Sequence, residues 1–264
     1  MDILSDIERR AAEASPPQPD DYERDGLLHC SRCHAPKECM ITIGGATRKV
    51  PIICRCKEAE LAAQKEREAA ERIERMQTFG GISPVKTFDR AQPSEALEWC
   101  KRYADHWPEA EVQGKGLLLW GGVGTGKTYA AHAIANELIR HGVYVYMTSL
   151  ARVLSSGFDK SAALDHVRNM PLVIFDDFGQ ERSSVYASET VFTFVDERYR
   201  TGKPLIITTN LALDEIKNRR NDVSGAVYDR ILERCAAVCF GGISKREEQA
   251  ADTMRFMRGL AKEA

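Results

Sequence analysis

Eight consecutive residues, GGVGTGKT at Gly121 to Thr128, have the composition and spacing of a loop that wraps phosphate oxygens with backbone N–H groups. Gly121, Gly122, Gly124 and Gly126 lack the side chains that would keep an anion away, while Val123 and Thr125 add their own N–H groups. The helix-like run opened by Tyr129, YAAHAIANELIRHG, would put a helix N-terminus beneath the phosphates, where unpaired donors and the helix dipole favour an anion. Lys127 is then the cation for the β and γ phosphates, and the Thr128 hydroxyl a ligand for Mg²⁺. The cofactor this predicts is ATP with magnesium.

Downstream, LVIFDDFG is an apolar run ending in two carboxylates. Beside a phosphate loop, Asp176 falls near the metal and Asp177 toward an attacking water. The alternative is a paired acidic end that caps the next helix. PLIITTN brings Asn210 to the end of a further apolar run, where an amide can orient that water or sense the γ-phosphate. By itself, Asn210 reads as the N-cap of LALDEIKN.

A second cluster lies ahead of these motifs. Cys30 and Cys33 form a CxxC, and Cys54 and Cys56 a CxC, together four thiolates suited to a tetrahedral zinc site. Cys39, His29 and His34 stand nearby as substitute ligands, and four free buried thiols are the competing reading. No βαβ pattern surrounds the CxxC, which argues against redox chemistry. Cys100, Cys235 and Cys239 lie in ordinary apolar stretches, so cysteine usage favours a reducing, cytoplasmic compartment.

The elements that must position these groups follow from the pattern along 264 residues, 43% of them hydrophobic. That is enough for one full-sized domain with a small appendage. Residues 1–25, containing SPPQPDD, read as a flexible tail, and 26–57 as a cysteine-rich zinc module too small to fold by apolar burial alone. Residues 58–78, rich in Ala, Glu, Lys and Arg, read as a solvated helical linker. From 79 to 264, apolar β runs (GLLLW, VYVYM, LVIFDD, PLIITTN, AAVCF) alternate with amphipathic helices. The expected fold class is α/β, a parallel five-stranded sheet flanked by helices. No apolar run is long enough to span a bilayer, and the acidic, amphipathic start is unlike a signal peptide, so no membrane association is expected. A net charge of −2 excludes a generally basic nucleic-acid coat; any such contact must be local.

Taken together, GISPVKTFDR, GLLLWGGVGTGKT, LVIFDDFG, DERYRTGKPLIITTN and YDRILERC resemble the AAA+ ATPases, within them the DnaC/DnaI-type helicase loaders, with IstB-type transposition ATPases close behind. The resemblance covers roughly 79–264 and implies a P-loop NTPase core that hydrolyses ATP to ADP and phosphate. It makes Asn210 the first sensor, Arg230 the finger that enters a neighbouring subunit's site (Arg234 the runner-up), and Arg246 the second sensor. Most AAA+ enzymes carry glutamate where this chain has Asp177, which implies slow, switch-like hydrolysis. The short stretch after Arg246 leaves no room for a large helical lid. By position in the loaders, Ser184 and Tyr186 in GQERSSVYASE, and Phe158 in LSSGFDK, are expected to contact single-stranded DNA; Ser183 and Ser184 as helix caps and Tyr186 as core are the alternative. Cysteine modules precede the core in some loaders and are absent from typical IstB-type proteins.

The implied function is a helicase loader that binds a hexameric DnaB-type replicative helicase and single-stranded DNA, as a homo-oligomer on partner or DNA. An IstB-type transposition helper that binds duplex DNA, or a nucleotide-binding adaptor with negligible turnover, are the alternatives.

Overall fold

Asp25 and Gly26 both take positive φ, 52° and 74°, which is the geometry that closes a two-residue hairpin without splaying its strands. In the computed structural model, which describes residues 16–43, 45–155, 159–179, 185–219, 225–242 and 244–260, this turn joins β1 (Tyr22–Arg24) to β2 (Leu27–His29). A second antiparallel hairpin pairs β3 (Glu38–Ile43) with β4 (Ala46–Pro51). The chain divides into two units, Met1–Arg72 and Ile73–Ala264.

The tail was expected to run through residue 25, yet β1 begins at Tyr22, and Asp21 and Lys37 form an ion pair at 2.6 Å with side chains 1% and 2% exposed. Lys37 also donates to the Pro16 carbonyl, and Asp21 accepts from the Ser31 N–H, so the acidic stretch is tied in by charge rather than by apolar burial. The linker helix, α1 (Arg55–Gly80), is longer than 58–78, and one face of its last turns is buried. Met76 is buried in the core of the second unit with Ile73 against it.

In the second unit a 3₁₀ turn (Phe88–Arg90) and two helices, α2 (Glu95–Asp105) and α3 (Trp107–Gln113), lead into β5 (Gly116–Trp120). Then come α4 (Lys127–Arg140), β6 (Val145–Ser149), α5 (Leu150–Val153), α6 (Lys160–Asn169), β7 (Leu172–Phe178) and α7 (Val185–Thr201). The chain continues through β8 (Leu205–Thr209), α8 (Leu213–Asn218), α9 (Gly225–Arg234), β9 (Cys235–Cys239) and α10 (Lys245–Leu260).

The five strands pair in parallel in the order β6-β7-β8-β5-β9. Alternation splits their side chains between two cores. Leu117, Leu119, Ile174 and Ile206 pack with α4 residues such as Ile134 and Leu138. Leu118, Val173, Phe175 and Ile207 pack on the other face with Val167, Phe194 and Ile231. A sheet buried on both faces explains the unbroken apolar runs.

Arg198 is fully buried and satisfies its guanidinium with backbone carbonyls of Val167, Met170, Pro171 and Pro204. Burial pushes its pKa down to about 9. It ties the end of α6 to the starts of β7 and β8, which fixes the strands whose far ends carry the acidic pair and Asn210.

Candidate functional site

The glycine loop follows β5 and enters α4 through Gly126, whose φ of 105° is available to glycine at little cost. At Gly121 the need is steric as well, since a Cβ there would lie 2.3 Å from the Phe240 carbonyl oxygen. The loop is tethered to the segment after β9: Phe240 N–H donates to the Trp120 carbonyl at 2.8 Å, and Lys245 N–H to the Gly124 carbonyl at 3.0 Å.

Lys127 is buried and donates to the carbonyls of Gly121 and Gly122 at 2.9 and 2.6 Å. Burial lowers its pKa, opposed by the carboxylates of Asp177 and Asp176. Thr128 Oγ1 donates to Asp176 Oδ1 at 2.9 Å, which joins the loop to the end of β7. The β7–β8 register shifts between Phe175 and Phe178, and Asp177 within that shift takes φ 54°. A bulge of this kind re-aims a side chain. Here it separates the two carboxylates: Asp176 faces Thr128 and Thr208, whereas Asp177 lines the cavity over the loop. Burial, and then the charge of Asp176, raise the Asp177 pKa against the opposing pull of Lys127 and Arg246.

That cavity, about 650 Å³, brings together Val123 to Tyr129, Asp177, Asn210 and Arg246 from four separate stretches of chain. A triphosphate fits its chemistry, with a lysine, an arginine and loop amides for the oxygens and Thr128 with Asp176 as the pair that would hold Mg²⁺.

Several cavity residues were not among the site residues read from the sequence. Lys86, Arg90 and Gln92 come from the segment between α1 and α2. That segment is strapped to one face of α4 by residues at i, i+3 and i+7. Tyr129 donates to the Thr87 carbonyl at 2.9 Å, His132 Nδ1 accepts from Ser83 N–H at 3.2 Å, and Asn136 Nδ2 donates to the carbonyls of Ser83 and Lys86 at 2.9 and 2.8 Å. Gln77 of α1 completes the set by donating to Asn136 Oδ1 at 2.8 Å. Desolvation, and then the charge of Lys86, lower the His132 pKa to about 4, so the ring is neutral and its Nδ1 free to accept. Thr208 was also missed. Its hydroxyl sits between the two acids, donating to Asp176 Oδ1 at 2.6 Å and accepting from Asp177 N–H at 3.0 Å.

Arg230 does not join the cavity. It lies on α9 with Nη2 2.8 Å from Asp196 Oδ1 of α7 and its guanidinium over the rings of Phe192 and Tyr199. Arg234 also lies over Tyr199. Tyr186 is 59% exposed near the start of α7, with the Lys160 ammonium 4.0 Å from its ring centroid. Ser184 and Phe158 lie outside the described residues.

In the first unit the Sγ atoms of Cys30, Cys33, Cys54 and Cys56 lie within 4.8 Å of one another. Cys30–Cys56 is 3.5 Å and Cys54–Cys56 3.3 Å, against about 3.8 Å between sulfurs around tetrahedral zinc. A tight turn, His34 N–H to the Cys30 carbonyl, folds the CxxC, and the CxC opens α1. Backbone N–H groups, of Ala35 first, lower the Cys33 thiol to about 6, and the Cys54 and Cys30 sulfurs raise Cys56 to about 12. The substitute ligands stand outside this set: Cys39 sits in β3, while His29 Nδ1 bonds the Leu27 carbonyl and His34 Nδ1 the Tyr22 hydroxyl.

A five-stranded parallel sheet with a glycine-rich loop leading into α4 and an acidic strand end beside it defines a P-loop nucleotide-binding domain. The chain belongs to the IstB-like ATP binding protein family, whose model matches residues 58–253. The replicative helicase loader DnaI of Bacillus subtilis is 29% identical over 150 residues, 51% of this chain and 48% of that protein. A Mycobacterium tuberculosis protein, Rv3427c, named for ATP binding in an insertion sequence, is 29% identical over 141 residues, 50% of this chain and 56% of that protein. The chain thus spans about half the length of these curated relatives. The crystal structure of DnaI superposes with a TM-score of 0.51 at 22% identity, over 61% of this chain and 90% of that one, a likeness of fold. Among the described residues no helix is long and apolar enough to cross a membrane.

Proposed function

We propose that the chain is an ATP-dependent loader of a hexameric DnaB-type replicative helicase, acting in the cytoplasm. The second unit binds ATP and Mg²⁺ and hydrolyses the nucleotide, with Lys127 on the phosphates, Thr128 and Asp176 on the metal, Asp177 on the attacking water, and Asn210 and Arg246 at the γ-phosphate. Arg230 completes a neighbour's site in a homo-oligomer formed on helicase or DNA. The first unit holds Zn²⁺ through Cys30, Cys33, Cys54 and Cys56 and grips the helicase, and Tyr186, with Ser184 and Phe158, contacts single-stranded DNA.

The observation that carries the loader reading over its rival is the four-sulfur cluster ahead of the ATP-binding unit. The insertion-sequence relative favours the rival, a transposition helper that binds duplex DNA. Size-exclusion chromatography of the full chain with a purified DnaB-type hexamer, combined with ATP-dependent binding of labelled single and double strands, separates them. Co-elution and a preference for single strands, weakened by Tyr186→Ala, support the loader. A chain that ignores the hexamer and prefers duplex is the transposition helper. Binding without turnover on any DNA makes it a nucleotide-dependent adaptor.

A further inference from the structure

Arg230 is held by one carboxylate that is shared. Asp196 Oδ1 takes Arg230 Nη2 at 2.8 Å, and Asp196 Oδ2 takes Nε of Arg200, one turn further along α7, at 2.7 Å. The Asp196 side chain is 9% exposed and that of Arg230 24%. Phe192, Asp196 and Tyr199 recur at i, i+4 and i+7, so one face of α7 presents ring, carboxylate and ring to the guanidinium, whose carbon lies 4.9 and 5.4 Å from the two ring centroids. The far half of the fork is unspent, because Arg230 Nη1 is buried and finds no acceptor among the described residues.

A guanidinium suits a phosphate best when both arms donate. Here one arm is paired and the other buried and idle, a half-used fork that gains a second bond when the side chain moves to a phosphate. The sharing makes departure inexpensive. When Arg230 leaves, Asp196 keeps Arg200, so no buried carboxylate is stranded without a counter-charge.

Resting on the reading of Arg230 as a group that acts in a neighbour's site, we propose that Asp196 is a latch. It holds Arg230 within its own subunit until the terminal phosphate of a nucleotide on a second copy of this chain takes the guanidinium over. Asp196 is a positioning residue that never touches nucleotide, and Arg200 sets how tightly it grips. Self-association with ATP is then weakened by the fraction of chains whose latch is closed.

The test is ATP-dependent self-association of the full chain, measured by sedimentation velocity over a range of protein concentrations with Mg²⁺ present. Asp196→Asn keeps the shape and removes the charge, and is expected to lower the concentration for half-assembly at least threefold. Arg200→Gln leaves Asp196 undivided for Arg230, and is expected to raise it at least threefold. A merely structural ion-pair network would move both variants the same way, so shifts in one direction, or none, overturn the latch. Melting curves identify any variant that loses its fold, and the other variant then decides by the sign of its shift. A parent chain that shows no association with ATP overturns the in-trans reading of Arg230 and the latch with it, whereas association without opposite shifts overturns the latch alone.

Discussion

Thr208 donates its hydroxyl proton to Asp176 Oδ1 at 2.6 Å while its oxygen takes the Asp177 N–H at 3.0 Å. One buried hydroxyl therefore fixes the carboxylate facing Thr128 and the backbone of the carboxylate facing the cavity. Thr208→Val preserves shape, takes the acceptor from the Asp177 N–H and leaves Asp176 Oδ1 with the Thr128 hydroxyl, a cost of about 1–3 kcal/mol. Turnover is expected to fall at least tenfold with a smaller loss of nucleotide affinity; calorimetric titration beside a steady-state phosphate assay checks this, and an unchanged rate removes Thr208 from the site.

Lys127 and Asp177 are expected to separate binding from chemistry. Lys127→Ala removes the buried cation and should weaken ATP binding by roughly 10- to 100-fold, in line with about 1.5–3 kcal/mol for a charged hydrogen bond. Asp177→Asn keeps the cavity's shape and removes the base, so binding persists while turnover stops. Fluorescent nucleotide titration and phosphate release read the two effects. Normal hydrolysis by either variant sinks the assignment.

Arg230 should work across subunits. Mixing Arg230→Ala with Lys127→Ala chains reunites one intact finger with one intact phosphate loop, so ATPase activity is expected to return in part, peaking near equal proportions. Failure to recover activity in mixed assemblies verified by sedimentation assigns Arg230 a structural role.

The four-sulfur cluster should carry one zinc per chain and hold the first unit together, since two short hairpins bury too little apolar surface to fold by themselves. Cys54→Ser, or removal of metal by a strong chelator, is expected to expose the hairpins to protease while leaving nucleotide binding in the second unit intact. Elemental analysis and limited proteolysis are the readouts. Protein purified without chelator and found free of metal refutes the zinc assignment.

His132 gives the protein a one-sided pH response. Its pKa falls from an ordinary 6.5 to about 4 on folding, so between these values the unfolded chain binds the extra proton. The contribution is complete above pH 6.5 and is lost as the pH falls toward 4. Protonation also ends acceptance at Nδ1 and loosens the Ser83–Lys86 strap over the cavity. His132→Gln is expected to flatten this part of the stability profile, which urea melts at pH 4.5, 5.5 and 7 would show; an equal slope in parent and variant rules out His132 as the source.

Much of this molecule was written in local pattern. The glycine loop, the paired acids, the strand runs and the cysteine pairs are short-range signals, because phosphate wrapping, metal knuckles and buried parallel strands each impose residue types at fixed near spacings. From these alone the α/β class, the five strands, and the neighbourhood of Lys127, Thr128, Asp177 and Asn210 could be read. What only the tertiary structure decided depends on partners distant in sequence. Thr208 reads as one more β-branched residue in a buried strand until β8 lies beside β7. His132 and Asn136 look like ordinary positions of an amphipathic helix until the segment at 83–87 crosses their face. Asp176 and Asp177, given separate duties by pattern alone, reach their separate surroundings through a register shift that no spacing rule encodes. Asp21, in a stretch whose composition reads as solvated tail, is drawn inward by Lys37, and Arg230 by Asp196. Each of these is a polar group whose place is set by the complementary groups it meets after the chain has folded, and composition and periodicity carry no record of those meetings.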